Sequence, residues 1–272
     1  MKPPLSKDTK LCISLAARPS NIGTRFHNYL YEQLGLDFIY KAFTTTDIVA
    51  AIGGVRALGI RGCSVSMPFK EHVIPLVDEI EESAQVIHSV NTIVNDDGRL
   101  TAANTDYIAV AQLIREHRLN PDVKVLIRGS GGMANAVGAA FRDAGFSDGV
   151  IVARNPESGR ALADRLGYEW HPDVRGLAAA VIVNATPIGM AGGPEEQQTA
   201  YGEDLINKAH IVFDVVAVPA ETPLIAAART AGKDVITGAE VIALQAAEQF
   251  ARYTGVRPTP ELIEAASVIS RA

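Results

Sequence analysis

The sequence predicts an α/β protein of two lobes with a cleft between them. Two series of short apolar segments of strand length alternate with longer amphipathic segments, which is typical of right-handed βαβ units. The first series also contains a hairpin signal, so we expect its sheet to be mixed but mostly parallel. A glycine-rich turn opens the second series, for which we expect a doubly wound parallel sheet of the Rossmann type.

Length and composition fit a globular protein with two domains. The chain has 272 residues, 47% of them apolar, and a net charge of −6. An acidic balance without a basic stripe argues against nucleic acid as a partner. The longest strongly apolar run, at 177–183, is too short for a membrane span, and no leader-like start is present. We therefore expect a cytoplasmic monomer or homodimer that acts on a small molecule.

Cysteine and histidine positions give no sign of a metal site or a disulfide framework. Cys12 and Cys63 lie on separate apolar stretches without CxxC spacing, and the six histidines include no HExxH-like pair. We expect no bound metal and a reducing compartment.

The first lobe begins with three predicted strands separated by two helices, each of which ends at a glycine. A hairpin follows, in which the turn residues Asp-Asp-Gly join two strands. These elements are predicted, in order, at 11–15, 24–35, 37–43, 46–59, 60–66, 91–95 and 99–104.

Between the third strand and the hairpin, the segment "VSMPFKEHV" at 65–73 places Lys70 two residues after Pro68. Proline is favoured at the first position of a helix, so we expect Lys70 in the first turn of a short helix. The peptide dipole disfavours a cation there by about 0.3 to 1 kcal/mol, which would make the lysine proton easier to lose. An exposed and solvated lysine is the simpler interpretation of the same pattern.

A helix is predicted to begin at "NTDYIAVAQLIREHRL" (104–119), with Thr105 or Asp106 as its cap. We assign residues 105–238 to the second lobe, and residues 1–104 together with the closing helices of 239–272 to the first. Strands and helices of the second lobe are predicted at 123–127, 129–145, 149–153, 155–167, 178–185, 210–217, 222–232 and 233–238.

The strand at 123–127 runs into a GxGxxA pattern formed by Gly129, Gly131 and Ala134, and a helix follows. In this context the first glycine allows a tight turn, the second lets a pyrophosphate approach the backbone, and the third position needs a small residue for helix packing. The phosphate then lies at the helix N-terminus. We expect a dinucleotide to bind at Gly129, Ser130, Gly131, Gly132, Met133 and Ala134.

The next strand, "GVIVA", ends at Arg154, where an acidic residue would favour the ribose hydroxyl of NAD and an arginine the 2′-phosphate of NADP. We therefore predict NADP as the cofactor. A solvated loop arginine is the alternative interpretation of Arg154.

Several polar residues lie at the ends of strands in both lobes, where ligands of open α/β sheets bind. Each of them would also suit a helix cap or a turn. If Lys70 and Asp106 meet, the pair can pass a proton to a ketone oxygen while a nicotinamide delivers hydride. The polar residues in question are Ser64, Ser66, Lys70, Asn91, Thr92, Asn104, Asp106, Asn184 and Thr186.

These motifs resemble the shikimate dehydrogenase family over essentially the whole chain. "SVSMPFK" (64–70) is similar to the family pattern NVTxPFK, and "NTD" (104–106) to its aspartate motif, which implies that Lys70 and Asp106 are catalytic. "SVNTI", "VITGAEVIALQ", "GSGGMA", "ARN" and "NATPIGM" also match. The resemblance implies substrate binding by Ser66, Asn91 and Gln245, and cofactor binding by Arg154, Asn184, Thr186 and Gly238.

Two segments depart from the family pattern. The two serines that hold the substrate carboxylate in the family are replaced here by Asn21 and Gly23, and a tyrosine near the nicotinamide is replaced by Ala217. Losing such hydroxyls costs about 1 to 3 kcal/mol each. We expect Asn21, with the nearby Ser20 and Arg18, to bind the carboxylate instead.

The resemblance implies an NADP-dependent oxidoreductase that interconverts shikimate, or a shikimate-like cyclic hydroxy acid, and its 3-dehydro ketone. Lys70 would be the general acid or base and Asp106 its partner. The altered segments leave open quinate, an aminoshikimate or another hydroxy acid as the substrate. They also leave open a non-catalytic, NADP-binding regulatory protein.

Overall fold

The structure, a computed structural model, describes residues 2–271 and divides them into two compact units. One contains the described residues up to Ile108 and those from Ala243 onward, and the other contains Ala109–Ile242. Both boundaries between the units fall inside helices, one within Thr105–Glu116 and the other within Gly238–Thr254. The division after residues 104 and 238 stays a prediction.

The first unit contains a mixed six-stranded sheet, as predicted. Its strand order is β2-β1-β3-β5-β6-β4. Strand β1 is parallel to β2 and β3, whereas β5 is antiparallel to both β3 and β6. The short edge strand β4 pairs in parallel with β6 and was not predicted. The strands are β1 (Lys10–Ala16), β2 (Phe38–Thr44), β3 (Gly62–Val65), β4 (Glu79–Ile80), β5 (Thr92–Asp96) and β6 (Arg99–Ala103).

Helices cover both faces of this sheet. One core cluster, which includes Ile52 and Val55 from α2, packs on one face. The other core cluster joins Phe26 and Leu30 from α1 to Phe250 and Tyr253 from α9. The helices with residues in this unit are α1 (Ile22–Gln33), α2 (Ile48–Ala57), α3 (Glu82–Gln85), α4 (Thr105–Glu116), α9 (Gly238–Thr254) and α10 (Pro260–Arg271).

The short helix predicted to begin around Lys70 does not form. Lys70 lies in a series of turns, and only Ile74–Leu76 forms a 3-10 helix. Pro75 explains the difference, because it has no N–H to donate to the carbonyl of Glu71 and its ring would clash with that carbonyl in an α-helix. The dipole argument from a helix N-terminus therefore does not apply to Lys70.

The second unit contains six strands that are all parallel, in the order β12-β11-β10-β7-β8-β9. This is the doubly wound order of the Rossmann fold, in which the chain starts at the central strand β7 and builds outward on both sides, and it confirms the predicted fold class. Strands β7, β8 and β10 are almost entirely buried, as expected for a sheet covered on both faces. The strands are β7 (Val125–Arg128), β8 (Gly149–Val152), β9 (Glu169–His171), β10 (Val181–Asn184), β11 (Ile211–Asp214) and β12 (Asp234–Ile236).

Four helices complete the second unit: α5 (Gly132–Asp143), α6 (Pro156–Leu166), α7 (Glu203–Lys208) and α8 (Pro223–Thr230). Asn155 caps α6 with its side chain, and Thr222 caps α8. Across residues 2–271, every helix is too short or too polar to cross a bilayer.

Candidate functional site

Lys70 and Asp106 form an ion pair in the first unit. The Nζ atom of Lys70 lies 2.6 Å from Oδ2 of Asp106. Both side chains are mostly buried, with 23% and 10% of their surfaces exposed. A charged hydrogen bond of this length fixes the position of the ammonium group, while the remaining exposure leaves it accessible to a ligand.

Asn104 positions Asp106 by capping α4. Its Oδ1 accepts the N–H of Tyr107 at 3.0 Å, so the cap is Asn104 and not Thr105 or Asp106 as predicted. Asn104 itself is held by Ser83 and by the carbonyl of Ser89. Because Asn104 caps the helix, the Asp106 carboxylate is not needed as a cap and accepts the hydrogen bond from Lys70 instead. A carboxylate in the first turn is also favoured by the helix dipole.

A buried hydrogen-bond network lies next to Asp106 and contains Asn91 and Gln245. Oδ1 of Asn91 accepts bonds from the backbone N–H of Thr105 and from the hydroxyl of Thr92, both at 2.8 Å. The hydroxyl of Thr105 lies 3.3 Å from Oε1 of Gln245. Within residues 2–271 we find no acceptor for Nδ2 of Asn91, so this amide can donate to a ligand.

Gln249 belongs to the same network, and sequence reasoning missed it. Its Nε2 donates to the hydroxyl of Thr92 at 3.0 Å and to the carbonyl of Asn91 at 3.3 Å. The spacing of the two glutamines could have revealed it. Gln249 follows Gln245 by four residues, so both side chains lie on the same face of α9.

The predicted carboxylate ligands lie apart from this network. Arg18, Ser20 and Asn21 have exposed side chains in the loop before α1, and the Asn21 side chain does not cap that helix. Ser66 is also exposed, and its N–H donates to the carbonyl of Leu15. These four residues remain predicted substrate ligands, but the described contacts do not bring their side chains to Lys70 or Asp106.

His27 and Asn28 anchor α1 to β2. The side chain of Asn28 hydrogen-bonds to the N–H and the carbonyl of Tyr40, at 3.0 and 2.8 Å. The His27 ring stacks on the Tyr40 ring with 4.3 Å between centroids. Burial lowers the pKa of His27 to about 3, so this histidine is neutral and serves packing.

In the second unit, the predicted nucleotide loop fits a dinucleotide pyrophosphate. Gly129 has a φ of +131°, and a Cβ atom there would lie 2.7 Å from the carbonyl oxygen of Ala185. Gly131 is the N-cap residue of α5 and offers no side-chain cap, and Cβ atoms built on Gly131 or Gly132 would meet open space. The first N–H groups of α5 are therefore available to an anion.

Ser130 and Met133 complete the loop, and Ala134 is buried beneath it. The Ser130 hydroxyl lies 2.8 Å from that of Ser158, at the start of α6. Arg154 is 81% exposed, and its Nη1 lies 3.8 Å from Oε1 of Glu195, a partner that the sequence did not reveal. This exposed ion pair is weak, so Arg154 can exchange it for a phosphate.

Asn184 and Thr186 shape the loop after β10. Oδ1 of Asn184 accepts the N–H and the hydroxyl of Thr186, and Nδ2 donates to the carbonyl of Ile188 and to Asp214. The amide group of Asn184 thus has its hydrogen-bond partners within the protein. Its predicted contribution to cofactor binding is therefore to shape this loop rather than to contact the cofactor.

Asp214 is a buried carboxylate that sequence reasoning missed. It accepts bonds from Asn184, from the N–H of Val216 and from the hydroxyl of Thr222. Burial nevertheless raises the pKa of Asp214 to about 6, and these hydrogen bonds offset only part of that shift.

Gly238 is required by backbone packing at the start of α9. A Cβ atom there would lie 2.3 Å from the carbonyl group of Val216. Thr237 and Glu240 form a capping box around it, with the Glu240 carboxylate accepting the Thr237 N–H at 2.8 Å.

Comparison with known proteins agrees with this arrangement. A family model described as the shikimate dehydrogenase substrate binding domain matches residues 21–93. A shikimate dehydrogenase-like protein of Haemophilus influenzae is 57% identical over 267 residues, covering 98% of each chain. The shikimate dehydrogenase (NADP(+)) of Pelodictyon phaeoclathratiforme is 36% identical, covering 85% of this chain and 86% of its own.

Solved structures of related proteins also match this chain over nearly its whole length. A structure described as a shikimate 5-dehydrogenase-like protein matches with a TM-score of 0.97 and 56% identity, covering 99% of this chain and all of its own. Shikimate 5-dehydrogenase from Thermus thermophilus, in complex with NADP(H) and shikimate, matches at 0.84 and 27% identity, covering 96% and 99%. Quinate dehydrogenase from Corynebacterium glutamicum, in complex with NAD, matches at 0.86 and 28%, covering 96% and 98%. With its Lys-Asp pair, its nucleotide loop and this degree of identity, the chain belongs to the shikimate dehydrogenase-like family.

Proposed function

We propose that this protein is an NADP-dependent oxidoreductase that interconverts shikimate, or a closely similar cyclic hydroxy acid, and its 3-dehydro ketone. The observation that carries the proposal is the Lys70–Asp106 pair, with 2.6 Å between Nζ and Oδ2 in a mostly buried site. An ion pair that served stability alone would gain little from keeping a partly exposed lysine beside unpaired polar groups.

Lys70 is the proton-transfer group. In the reduction, the Lys70 ammonium gives a proton to the ketone oxygen as the carbon receives a hydride, which leaves Nζ as a neutral amine. In the oxidation, the neutral amine takes up the proton of the substrate hydroxyl as the carbon loses a hydride, which restores the ammonium. Asp106 holds the ammonium group in position and accepts a hydrogen bond from a substrate hydroxyl. NADP, when bound, accepts or supplies the hydride.

Substrate and cofactor are held by different kinds of groups. Nδ2 of Asn91 and the side-chain amide of Gln245 orient the substrate hydroxyls, since both belong to the network beside Asp106. The loop from Gly129 to Ala134 holds the pyrophosphate, and Arg154 holds the 2′-phosphate. Relatives described as NADP(+) enzymes and the NADP(H)-bound structure support this cofactor.

The test is a substrate and cofactor panel. NADP+ reduction is followed at the nicotinamide absorbance with shikimate and quinate in parallel, and NAD+ replaces NADP+ as the cofactor control. We expect turnover with shikimate and NADP+, and weaker turnover with NAD+. Binding of NADP+ without turnover of either acid would contradict the proposed activity and favour a regulatory role.

Quinate is the second candidate substrate. It is favoured by the structural match to a quinate dehydrogenase and by the exposed, altered segment around Asn21. A kcat/KM for quinate at least about tenfold above that for shikimate would select it. A cytoplasmic location and a monomeric or homodimeric state are part of the proposal for either substrate.

A further inference from the structure

The buried carboxylate of Asp214, at the carboxyl end of β11, joins three segments of the second unit. Its Oδ1 accepts hydrogen bonds from Nδ2 of Asn184 and from the N–H of Val216, both at 3.0 Å. Its Oδ2 accepts the hydroxyl of Thr222 at 2.7 Å. Asn184 ends β10, Val216 lies in the loop after β11, and Thr222 caps α8. One side chain therefore holds two loops and the start of a helix together.

All three partners of Asp214 are donors, which explains why a carboxylate is needed there. The Thr222 hydroxyl already accepts the N–H of Ile225, so its own proton is directed to Asp214. The Asn184 amide is oriented too, because its Oδ1 accepts the N–H of Thr186. An ionised carboxyl group only accepts hydrogen bonds, whereas an amide in its place would turn an NH2 group toward one of these donors. The negative charge strengthens each of the three bonds.

The loop after β10 also contacts the nucleotide loop. The N–H of Ala185, the residue after Asn184, donates to the carbonyl of Arg128 at 2.8 Å. A Cβ atom on Gly129 would lie 2.7 Å from the Ala185 oxygen, so the two loops touch at their backbones. Asp214 is therefore separated from the nucleotide loop by only one hydrogen-bonded residue and its neighbour.

The two loops that Asp214 joins are bonded to each other further along the chain. The N–H of Ala191 donates to the carbonyl of Val218 at 2.9 Å. Met190, beside Ala191, and Val218 are both exposed although they are large and apolar. Apolar side chains of this kind suit packing against a flat ring of a ligand.

These loops belong to one half of the Rossmann sheet. Such a sheet consists of two halves, each of which binds one mononucleotide. The strands β7, β8 and β9 form one half, and Arg154, two residues after β8, is the predicted ligand of the 2′-phosphate on the adenosine ribose. The strands β10, β11 and β12 form the other half, on the opposite side of β7. The half that contains Asp214 is therefore left for the nicotinamide mononucleotide.

We propose that Asp214 is a positioning residue for the nicotinamide half of NADP, which it serves by holding the loops after β10 and β11 in the conformation that binds this half. The choice of cofactor rests on the proposed function, whereas the role of Asp214 rests on its three hydrogen bonds. Asp214 acts through these loops and does not itself contact the cofactor.

The test compares binding of NADP+ with binding of adenosine 2′,5′-bisphosphate, which contains the adenosine and its 2′-phosphate but no nicotinamide half. Both dissociation constants are measured by calorimetry for the wild-type protein, Asp214→Asn and Thr222→Val. Asp214→Asn should raise the dissociation constant for NADP+ about tenfold, and Thr222→Val should raise it by a smaller factor. The dissociation constant for the bisphosphate should stay within about twofold in both variants.

Tyr168→Phe is the matched control. It also removes a buried hydrogen bond of the second unit, which the Tyr168 hydroxyl donates to the carbonyl of Phe146 at 2.8 Å. Tyr168 precedes β9 and Phe146 precedes β8, so both lie at the end of the parallel sheet opposite the loops. This variant should change neither dissociation constant by more than about twofold.

An equal loss of affinity for both ligands in Asp214→Asn would overturn the proposal, because a general change in the second unit would explain it. Unchanged affinity for NADP+ would overturn it as well. Where Asp214→Asn does not fold, the same comparison in Thr222→Val decides, since that variant keeps the carboxylate and removes one donor. The measurement needs no turnover, so failure of the proposed reaction with shikimate is distinguished from failure of this proposal.

Discussion

The two units hold their candidate functional residues in different ways. In the first unit, side chains position one another, as in the bonds that join Asp106 to Lys70 and Thr105 to Asn91. In the second unit, backbone packing sets the shape of the loop, because Gly129 lies against Ala185 and leaves no room for a side chain. Substitutions in the first unit should therefore change the chemistry, and substitutions in the second should change the shape of the nucleotide site.

The largest effect in the second unit is expected for Gly129→Val. A branched side chain would have to adopt a φ of +131° and would place its Cβ atom 2.7 Å from the Ala185 oxygen, so the loop must deform. We expect the dissociation constant for NADP+ to rise more than about a hundredfold. Fluorescence titration measures it, and Gly53→Ala, where a Cβ atom meets open space in α2 and outside the nucleotide loop, is the control.

A smaller effect is expected in the pH dependence of the free energy of unfolding, to which Asp214 contributes. In the folded protein the pKa of the Asp214 carboxyl is raised to about 6 from its ordinary value of 3.8. The protonated carboxyl therefore contributes its full stabilisation of the fold below pH 3.8, and this contribution is lost as the pH rises through 6. The free energy of unfolding should therefore fall by roughly 1 kcal/mol from this group between about pH 5 and pH 7. Urea denaturation of wild type and Asp214→Asn at both pH values isolates this contribution. Identical pH dependence in the two proteins would show that the carboxylate stays ionised.

The smallest effect is expected for Glu195→Gln. Removing the carboxylate 3.8 Å from Arg154 frees the guanidinium for a 2′-phosphate. Because exposed ion pairs contribute about 0.2 to 1 kcal/mol, the KM for NADP+ should fall by roughly twofold to fivefold. The KM for NAD+, which lacks that phosphate, should not change. An equal fall for both cofactors would remove Arg154 from cofactor selection.

Local patterns in the sequence predicted the parts of the site that depend on local geometry. The glycine loop, the hairpin and the alternating strands all follow from neighbouring residues, and the Rossmann-type sheet followed from them. The Lys70 turn was missed because Pro75, five residues further on, prevents the helix.

Other features depend on which distant residues meet. Gln249 reaches Asn91 across 158 positions, and Gln245 reaches Thr105 across 140 positions. Asp214 ends the apolar strand β11, and only its hydrogen bonds with Asn184 and Thr222 show that it supports the loop after β10. Contacts of this kind follow from the tertiary fold and leave no periodic signal in the chain.

The most direct test of the account is the turnover number of Lys70→Ala with NADP+ and shikimate, measured beside its affinity for NADP+. We expect kcat to fall about 10²- to 10⁴-fold, since proton transfer by a positioned side chain contributes that much, while the dissociation constant for NADP+ stays within about twofold. Full turnover in a variant that still binds the cofactor would contradict the central claim, because Lys70 could not then be the proton-transfer group.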